Sequence, residues 1–321
     1  MQLSLSNKVK KMYKELEINL RVNGKNIELA GSAILNTNFS DEFNIIAGYR
    51  GAKELFENQK FLVTGGSAKK MLLRYNFGSM LITSHDADGI YLGSSNELKN
   101  KFKNYGFVEG YLIDSSKTIL EGIGNYRIVY NYSPFKKLAD KNDLIDVFTY
   151  GTGQGSIPID EKLGKHKLTL EINYVTKDGN IYNHKFNIDS LPHLIATSFN
   201  PLSTPLEGNG KRILPIIYIL SELSDSIDIG KEVKESLYYL RKGSKSVKRI
   251  LEDSNNNEKF ENNPNYTNYD GIIRELPDYL TNGKKFDLNS VKKGLNNFNL
   301  KEVSDKIDET INDIKGILRD Y

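Results

Sequence analysis

The chain has 321 residues, of which 38% are hydrophobic and 26% are charged, and its formal net charge is +3. This balance is typical of a folded protein with a substantial core, and it excludes a disordered or membrane-embedded chain. The absence of cysteine excludes disulfides, thiolate metal sites and a cysteine nucleophile.

Apolar segments are short throughout the sequence. The longest, residues 213–220, falls far below the roughly 20 residues that a membrane-spanning helix needs. Residues 1–13 are polar and basic, which argues against a secretory signal. We therefore expect a cytoplasmic protein that does not associate with a membrane.

The first 60 residues give weak patterns. Residues 6–16 predict a basic helix, and residues 22–36 contain an extended segment. Ser40 is a good N-cap residue with two acids after it, and it predicts a helix that runs to about residue 57.

The clearest local pattern lies between residues 61 and 92. Three apolar residues, 61–63, predict a strand, and the glycines after them predict a tight turn. Good helix formers fill residues 68–75. A second strand is expected at 80–83, and after an acidic segment the chain continues in extended form at 89–92.

Further strands follow this segment. Residues 96–105 predict a polar helix. The strands expected after it are 108–113, 126–132, 144–149, 167–174 and 182–188. The last two of these predict a hairpin that turns at Lys177-Asp178-Gly179-Asn180.

The pattern becomes helical from Ser190 onward. Ser190 can cap a helix that begins with Leu191 and Pro192, and residues 253–270 predict an asparagine-rich loop. The fold expected is α+β, with a mixed sheet and flanking helices in residues 1–190 and a helical domain in residues 191–321. The other helices expected in that domain are 212–223, 230–251 and 288–319.

Two acids alternate in the segment Ser84-His85-Asp86-Ala87-Asp88. Side chains two residues apart on a strand point to the same face, so Asp86 and Asp88 are expected to lie close together. Two neighbouring carboxylates repel each other unless a cation lies between them, which predicts a site for Mg²⁺ or Mn²⁺.

The turn before these acids predicts an anion site. Gly65 and Gly66 precede a helix, whose first backbone N–H groups and positive end attract phosphate. Ser67 can add a hydroxyl donor, and Lys69 can neutralise a triphosphate. Together the turn and the acids predict a metal–triphosphate site.

This arrangement resembles the DNA polymerase beta-like nucleotidyltransferase superfamily. The residues that carry the resemblance are Gly65-Gly66-Ser67 and Asp86-Ala87-Asp88. Such enzymes have a third carboxylate on a later strand, and Asp146 is the preferred match, with Glu171 as the competing one. Asp146 is preferred because an isolated acid in an apolar strand is costly to bury unless a cation uses it.

Within the superfamily the chain is most similar to the AbiEii-type nucleotidyltransferases of toxin–antitoxin and phage-defence modules. That group has a Gly-Gly-(Ser/Thr)-Ala turn followed by a Ser-x-Asp-x-Asp strand, matched here by residues 65–68 and 84–88. Ser84 begins the second motif, and Arg212 falls where the group has an arginine in its helical region.

The resemblance implies a nucleotidyltransferase-type fold and the transfer of a nucleoside monophosphate from an NTP to an acceptor hydroxyl. Asp86, Asp88 and Asp146 would be the catalytic residues and metal ligands. The nucleotide-binding residues would be Gly65, Gly66, Ser67, Lys69, Ser84 and Arg212. A tRNA or a protein would be the acceptor, and an antitoxin or another defence-module protein would be the partner.

Three positions depart from the family's pattern. Ile82 replaces an arginine two residues before the serine, residues 195–199 lack the helical lysine, and Ile213 replaces an aspartate. An alternative is therefore a catalytically inactive descendant that binds a nucleotide or a protein. A purely structural protein is a third hypothesis.

Two other features have simpler interpretations. His85 would face away from a metal held by its neighbours, so a structural role is expected. Five basic residues without an acid lie between Arg241 and Arg249, and this run is interpreted as a solvated helix face or as a contact for RNA phosphates. The five are Arg241, Lys242, Lys245, Lys248 and Arg249.

Overall fold

The structure, a computed structural model, divides the chain into two compact units. The first unit comprises Met1–Leu112, Gly122–Gly153 and Ile159–Ser190, and the second comprises Ile113–Glu121, Gln154–Pro158 and Leu191–Tyr321. The structure describes residues 13–28, 53–72, 87–102, 106–109, 125–129, 145–152, 157–200, 209–253, 269–297 and 304–307.

Strands dominate the described residues up to residue 190. In chain order the elements are β1 (Tyr13–Val22), β2 (Lys25–Glu28), α1 (Lys53–Phe56), β3 (Phe61–Val63), α2 (Gly65–Leu72), β4 (Ala87–Tyr91), α3 (Ser95–Lys101), β5 (Gly106–Glu109), β6 (Asn125–Val129), β7 (Ile145–Phe148), β8 (Gly151–Thr152), β9 (Pro158–Ile159), α4 (Glu161–Lys165), β10 (Leu168–Thr176) and β11 (Ile181–Ile188).

Nine of the described strands form one mixed sheet in the order β2-β1-β10-β11-β3-β4-β7-β6-β5. The pairs β11–β3 and β4–β7 are parallel, and the other neighbours are antiparallel. Strand β10 shows why the sheet forms, since Leu168, Leu170 and Ile172 are buried while the residues between them are half-buried. This alternation places one face of the strand on the core.

The middle of the sheet positions the residues discussed below. All three residues of β3 are fully buried, as expected for a strand covered on both faces. Because β4 runs antiparallel to β3 and parallel to β7, the end of β3 and the starts of β4 and β7 meet at one edge of the sheet. The end of β11 reaches the same edge, since β11 is parallel to β3.

The described residues of the second unit are mainly helical. Helix α5 packs on α6 and α7, and α8 packs on α7 and α9. The buried residues Val233, Leu237 and Leu240 recur along α7 at the spacing of one helix face. The elements are α5 (Leu191–Phe199), α6 (Asn209–Leu223), α7 (Ile229–Asp253), α8 (Tyr269–Leu280), β12 (Thr281–Asn282), β13 (Lys285–Phe286) and α9 (Leu288–Asn297), and residues 304–307 are also helical.

The observed elements confirm the strand at 61–63, the hairpin of β10 and β11, and the helix that begins at Leu191. The helix predicted at residues 6–16 is wrong where it overlaps β1. Helix α8 was not predicted, and the helix after β3 begins at Gly65, three residues earlier than expected. The predicted strand at 80–83 and most of the helix predicted at 40–57 lie outside the described residues.

The described architecture is mixed α and β structure, as expected for an α+β protein. None of the helices in the described ranges is both long enough and apolar enough to cross a membrane.

Candidate active site

Strand β3 passes into helix α2 through a tight turn at Thr64. The Thr64 carbonyl accepts the Ala68 N–H at 3.0 Å, which begins the helical hydrogen bonding of α2. Gly65 follows with a φ of 59°, a left-handed conformation that costs an L-residue energy because of its Cβ. A glycine is therefore required at this position if the chain is to enter the helix at once.

Asp88 lies directly against this turn. The Thr64 N–H donates to the Asp88 carbonyl at 2.9 Å, and the Gly66 N–H donates to Asp88 Oδ2 at 3.3 Å. A Cβ on Gly65 would lie 2.3 Å from the same carboxylate oxygen, so only glycine permits this approach. The structure thus brings Gly65, Gly66 and Asp88 together, although 22 residues separate Gly66 from Asp88.

Asp146 occupies the position beside Asp88 in the sheet. The two residues are direct partners in the parallel pair of β4 and β7, whose backbones lie about 4.8 Å apart. The next strand places Arg127 opposite Asp146. By backbone register, Asp88, Asp146 and Arg127 therefore occupy neighbouring positions on three adjacent strands.

Glu171, the competing third acid, lies elsewhere in the sheet. Its strand, β10, is separated from β4 by β11 and β3. Its carboxylate forms an ion pair with Lys185 at 2.7 Å. The sheet order therefore favours Asp146 as the neighbour of Asp88.

The remaining predicted residues fall into two groups. Ser67 and Lys69 lie on α2, and each is 4% exposed. Because Lys69 is so little exposed, its ammonium group is not open to bulk water. A lysine buried this deeply requires polar or charged surroundings. Two others, Asp86 and Ser84, lie outside the described residues. For Asp146 in β7 and Arg212 in α6, the structure describes the backbone but not the side chain.

Most of the predicted metal ligands lie beyond the described side chains. Within those side chains, no group of three or more acidic or histidine residues is placed to hold a metal ion. The carboxylates of Asp86 and Asp146 lie outside that set. The donor chemistry fits a hard divalent cation, since carboxylate oxygens on adjacent positions are the ligands that Mg²⁺ and Mn²⁺ prefer.

Two residues that the sequence did not single out also lie at this edge. Thr64 Oγ1 donates to Asp189 Oδ2 at 2.5 Å, and Asp189 is fully buried at the end of β11. The Asp189 N–H donates to the Val63 carbonyl at 2.8 Å. We call the end of the sheet formed by Thr64, Asp88, Asp146 and Asp189 the acidic edge. A signal existed in the sequence, because Asp189 is an acid directly after an apolar strand residue, Ile188.

The opposite end of β4 holds a second carboxylate–glycine contact. A Cβ on Gly93 would lie 2.6 Å from Glu97 Oε2. Glu97 Oε1 accepts from Lys60 Nζ at 2.6 Å and from the hydroxyl of Tyr91 at 3.2 Å. We call these four residues the Lys60 cluster.

The charges of the Lys60 cluster are balanced within the protein. The hydrogen bond from Lys60 holds the pKa of Glu97 below its usual value, and the same bond raises the pKa of Lys60. Burial, followed by the nearby charge of Glu97, raises the pKa of Tyr91 to about 12. We interpret the Lys60 cluster, whose charged groups pair with each other, as structural.

The predicted basic run lies on α7, in the second unit. Arg241 and Lys242 are exposed, and the Lys242 ammonium lies 4.5 Å from the centroid of the Tyr238 ring, a cation–π distance. The side chains of Lys245, Lys248 and Arg249 lie outside the described ones.

The acidic edge combines parts that suit phosphate chemistry. A glycine turn at a helix start offers backbone N–H groups to an anion, and acids beside it offer oxygen ligands to a cation. Comparison with protein-family models, with curated proteins and with solved structures gave no match to this chain.

Proposed function

We propose that this protein is a metal-dependent nucleotidyltransferase that moves a nucleoside monophosphate from an NTP to an acceptor hydroxyl. One observation carries the proposal: the Gly65–Gly66 turn lies against Asp88, and Asp146 is the register partner of Asp88 on the next strand. The succession of β3, the turn, α2, β4 and β7 supports a nucleotidyltransferase-type fold for the first unit.

The glycine turn would bind the phosphates of the NTP. The Gly66 N–H and the first turn of α2 offer hydrogen-bond donors and the positive end of the helix. The absence of a side chain at Gly65 lets an anionic group approach the backbone, as Asp88 Oδ2 does in this structure. Ser67 follows on the same helix turn. These groups orient the triphosphate with its α-phosphate toward the acids.

The acids would hold the metal. Asp86, Asp88 and Asp146 are the residues that would bind Mg²⁺ or Mn²⁺, and when bound the ion neutralises phosphate charge and acidifies a coordinated hydroxyl. Asp146 would accept the proton of the acceptor hydroxyl. The acceptor oxygen forms a bond to the α-phosphorus while the bond from that phosphorus to pyrophosphate breaks, so pyrophosphate leaves with the electron pair.

The resemblance to the AbiEii-type enzymes supports the choice of acceptor and setting. We infer a tRNA or a protein hydroxyl as the acceptor. We also infer a cytoplasmic toxin–antitoxin or phage-defence module as the setting, with an antitoxin as the protein partner.

A second function is favoured by specific observations. The Gly66 N–H that a phosphate would use is already engaged by Asp88, and Ile82 and Ile213 replace polar residues of the family's pattern. A descendant that binds a nucleotide or a protein partner without transferring anything would retain the turn and lose turnover.

Transfer from labelled NTPs tests the proposal. With Mg²⁺ or Mn²⁺ present, the protein is expected to label an RNA or a protein acceptor. Asp88→Asn removes a charged ligand and is expected to reduce the rate on the order of a thousandfold or more. Glu97→Gln, at the other end of β4, is the matched control and should leave the rate unchanged. Full transfer by Asp88→Asn would contradict the mechanism, and metal-dependent NTP binding without any labelling would favour the second function.

A further inference from the structure

A buried acid, Asp189, is hydrogen-bonded to Thr64, the residue directly before the glycine turn. Asp189 directly follows β11 and is 0% exposed, and its Oδ2 accepts a hydrogen bond from the Thr64 hydroxyl at 2.5 Å. Because it is fully buried, Asp189 does not reach a substrate. Burying a carboxylate costs free energy unless hydrogen bonds compensate, so a protein that retains one gains something from its contacts.

Thr64 is the residue on which these contacts converge. Its N–H donates to the Asp88 carbonyl, its C=O accepts from Ala68, and its hydroxyl donates to Asp189. The three partners belong to β4, α2 and the end of β11. The position and the rotamer of Thr64 are thus fixed from three sides, directly before the left-handed Gly65.

The position of Thr64 determines the positions of the backbone N–H groups that would bind a phosphate. The Thr64 carbonyl anchors the first turn of α2, and only Gly65 separates Thr64 from the Gly66 N–H. The Thr64 N–H also sets the backbone of Asp88 beside that donor. A rotation of Thr64 would therefore move the Gly66 N–H relative to Asp88.

We propose that Asp189 is a positioning residue for NTP binding, which acts through the Thr64 hydroxyl to hold the Gly65–Gly66 turn in its anion-binding conformation. This rests on the proposed function of the acidic edge. It adds a fourth acid, which follows a strand that bears none of the predicted ligands, and assigns that acid to the turn rather than to the metal.

Two variants of Thr64 test the pair. Thr64→Val deletes the hydroxyl and keeps the branched shape, whereas Thr64→Ser keeps the hydroxyl. Thr281→Val is the control, since it removes a comparable hydroxyl bond, to the Pro277 carbonyl at 2.8 Å, in the second unit. The measurements are KM for NTP, kcat, and hydrogen exchange of the Gly66 and Ala68 amides without nucleotide.

Thr64→Val is expected to raise KM for NTP about tenfold while kcat stays within about threefold, because the turn contributes binding rather than chemistry. The Gly66 and Ala68 amides should exchange about tenfold faster. In Thr64→Ser, KM, kcat and the amide exchange rates should stay within about twofold of the wild-type values, and Thr281→Val should change none of them.

Wild-type KM and exchange rates in Thr64→Val would overturn the proposal. Loss of the whole fold in Thr64→Val, with Thr64→Ser folded, would also overturn it, since the bond would then stabilise the unit rather than position the turn. If the wild-type protein neither binds nor transfers NTP, the proposed function fails. The exchange rates then decide separately whether the Thr64–Asp189 bond holds the turn.

Discussion

At each end of strand β4 a carboxylate lies against a glycine: Asp88 against Gly65 at the start, and Glu97 against Gly93 beyond the end. The two ends differ in the groups that donate hydrogen bonds to the carboxylate. At the start of the strand, a backbone N–H of the turn, that of Gly66, reaches Asp88 over a long 3.3 Å bond. At its end, Glu97 forms an ion pair with Lys60 at 2.6 Å and accepts the hydroxyl of Tyr91.

This difference separates a structural acid from a candidate ligand. Glu97 is paired with Lys60, a cation of the same unit, and we interpret this ion pair as structural. Asp88 has another acid, Asp146, as its register partner and a helix start beside it. Adjacent acids favour a divalent cation, and helix starts favour phosphate. A close contact between a carboxylate and a glycine is common to both ends, so it does not mark function by itself.

Adding a methyl group at Gly65 or at Gly93 is expected to have a large effect that differs between the two ends of β4. Gly65→Ala places a Cβ 2.3 Å from Asp88 Oδ2 in a left-handed conformation, and it should reduce NTP transfer on the order of a hundredfold by displacing the turn. Gly93→Ala meets Glu97 Oε2 at 2.6 Å and the Tyr91 ring at 2.7 Å. It should cost about 1–3 kcal/mol of unfolding free energy and leave transfer intact. Steady-state kinetics and denaturant unfolding measure the two effects.

Equal loss of NTP transfer in Gly65→Ala and Gly93→Ala would contradict the proposed difference between the two ends of β4. The Lys60 cluster would then contribute to catalysis rather than to structure alone.

A smaller effect is expected at alkaline pH. The folded pKa of Tyr91 is about 12, whereas an unfolded tyrosine titrates near about 10. The folded state therefore holds the proton more tightly, so this contribution is complete below about pH 10 and is lost as the pH rises toward about 12. Tyr91→Phe should flatten the alkaline limb of stability, measured by denaturant unfolding at a series of pH values. An unchanged limb would show that Tyr91 titrates normally.

The smallest effect is expected from Glu97→Gln. The hydrogen bond from Lys60 lowers the pKa of Glu97, so its contribution is present above the unfolded pKa of about 4.3 and is lost as the pH falls through the folded pKa. The partners are partly exposed, so only a small fall in melting temperature is expected near neutrality. The variant should also show a weaker dependence of melting temperature on acid pH. A steeper dependence would contradict this ion-pair account.

The sequence predicted the elements whose patterns are local. The apolar run of β3 and the turn residues between β10 and β11 required no tertiary information. Strand β1 shows how a local pattern can be misjudged. Its residues Leu16, Ile18, Leu20 and Val22 recur at every second position, which is typical of a strand, but the basic segment before it favoured a helix.

The candidate site was predictable to the same extent. Gly65 and Gly66 belong to one short sequence motif and Asp88 to another, and Asp146 was chosen because it is a lone acid in an apolar strand. The pairing of Thr64 with Asp189 spans 125 residues and depends on β11 lying beside β3. Sequence spacing carries no trace of that neighbour, so only the sheet order revealed it.

The central claim, that the acidic edge binds a metal with Asp88 and Asp146, is tested most directly by titrating the protein with Mn²⁺ and measuring the bound ion by electron paramagnetic resonance. The wild type and Glu97→Gln should bind Mn²⁺ equally. Asp88→Asn and Asp146→Asn should each weaken binding about tenfold or more, because each removes a charged oxygen ligand. Equal Mn²⁺ binding by all four proteins, or no binding by the wild type, would contradict the claim.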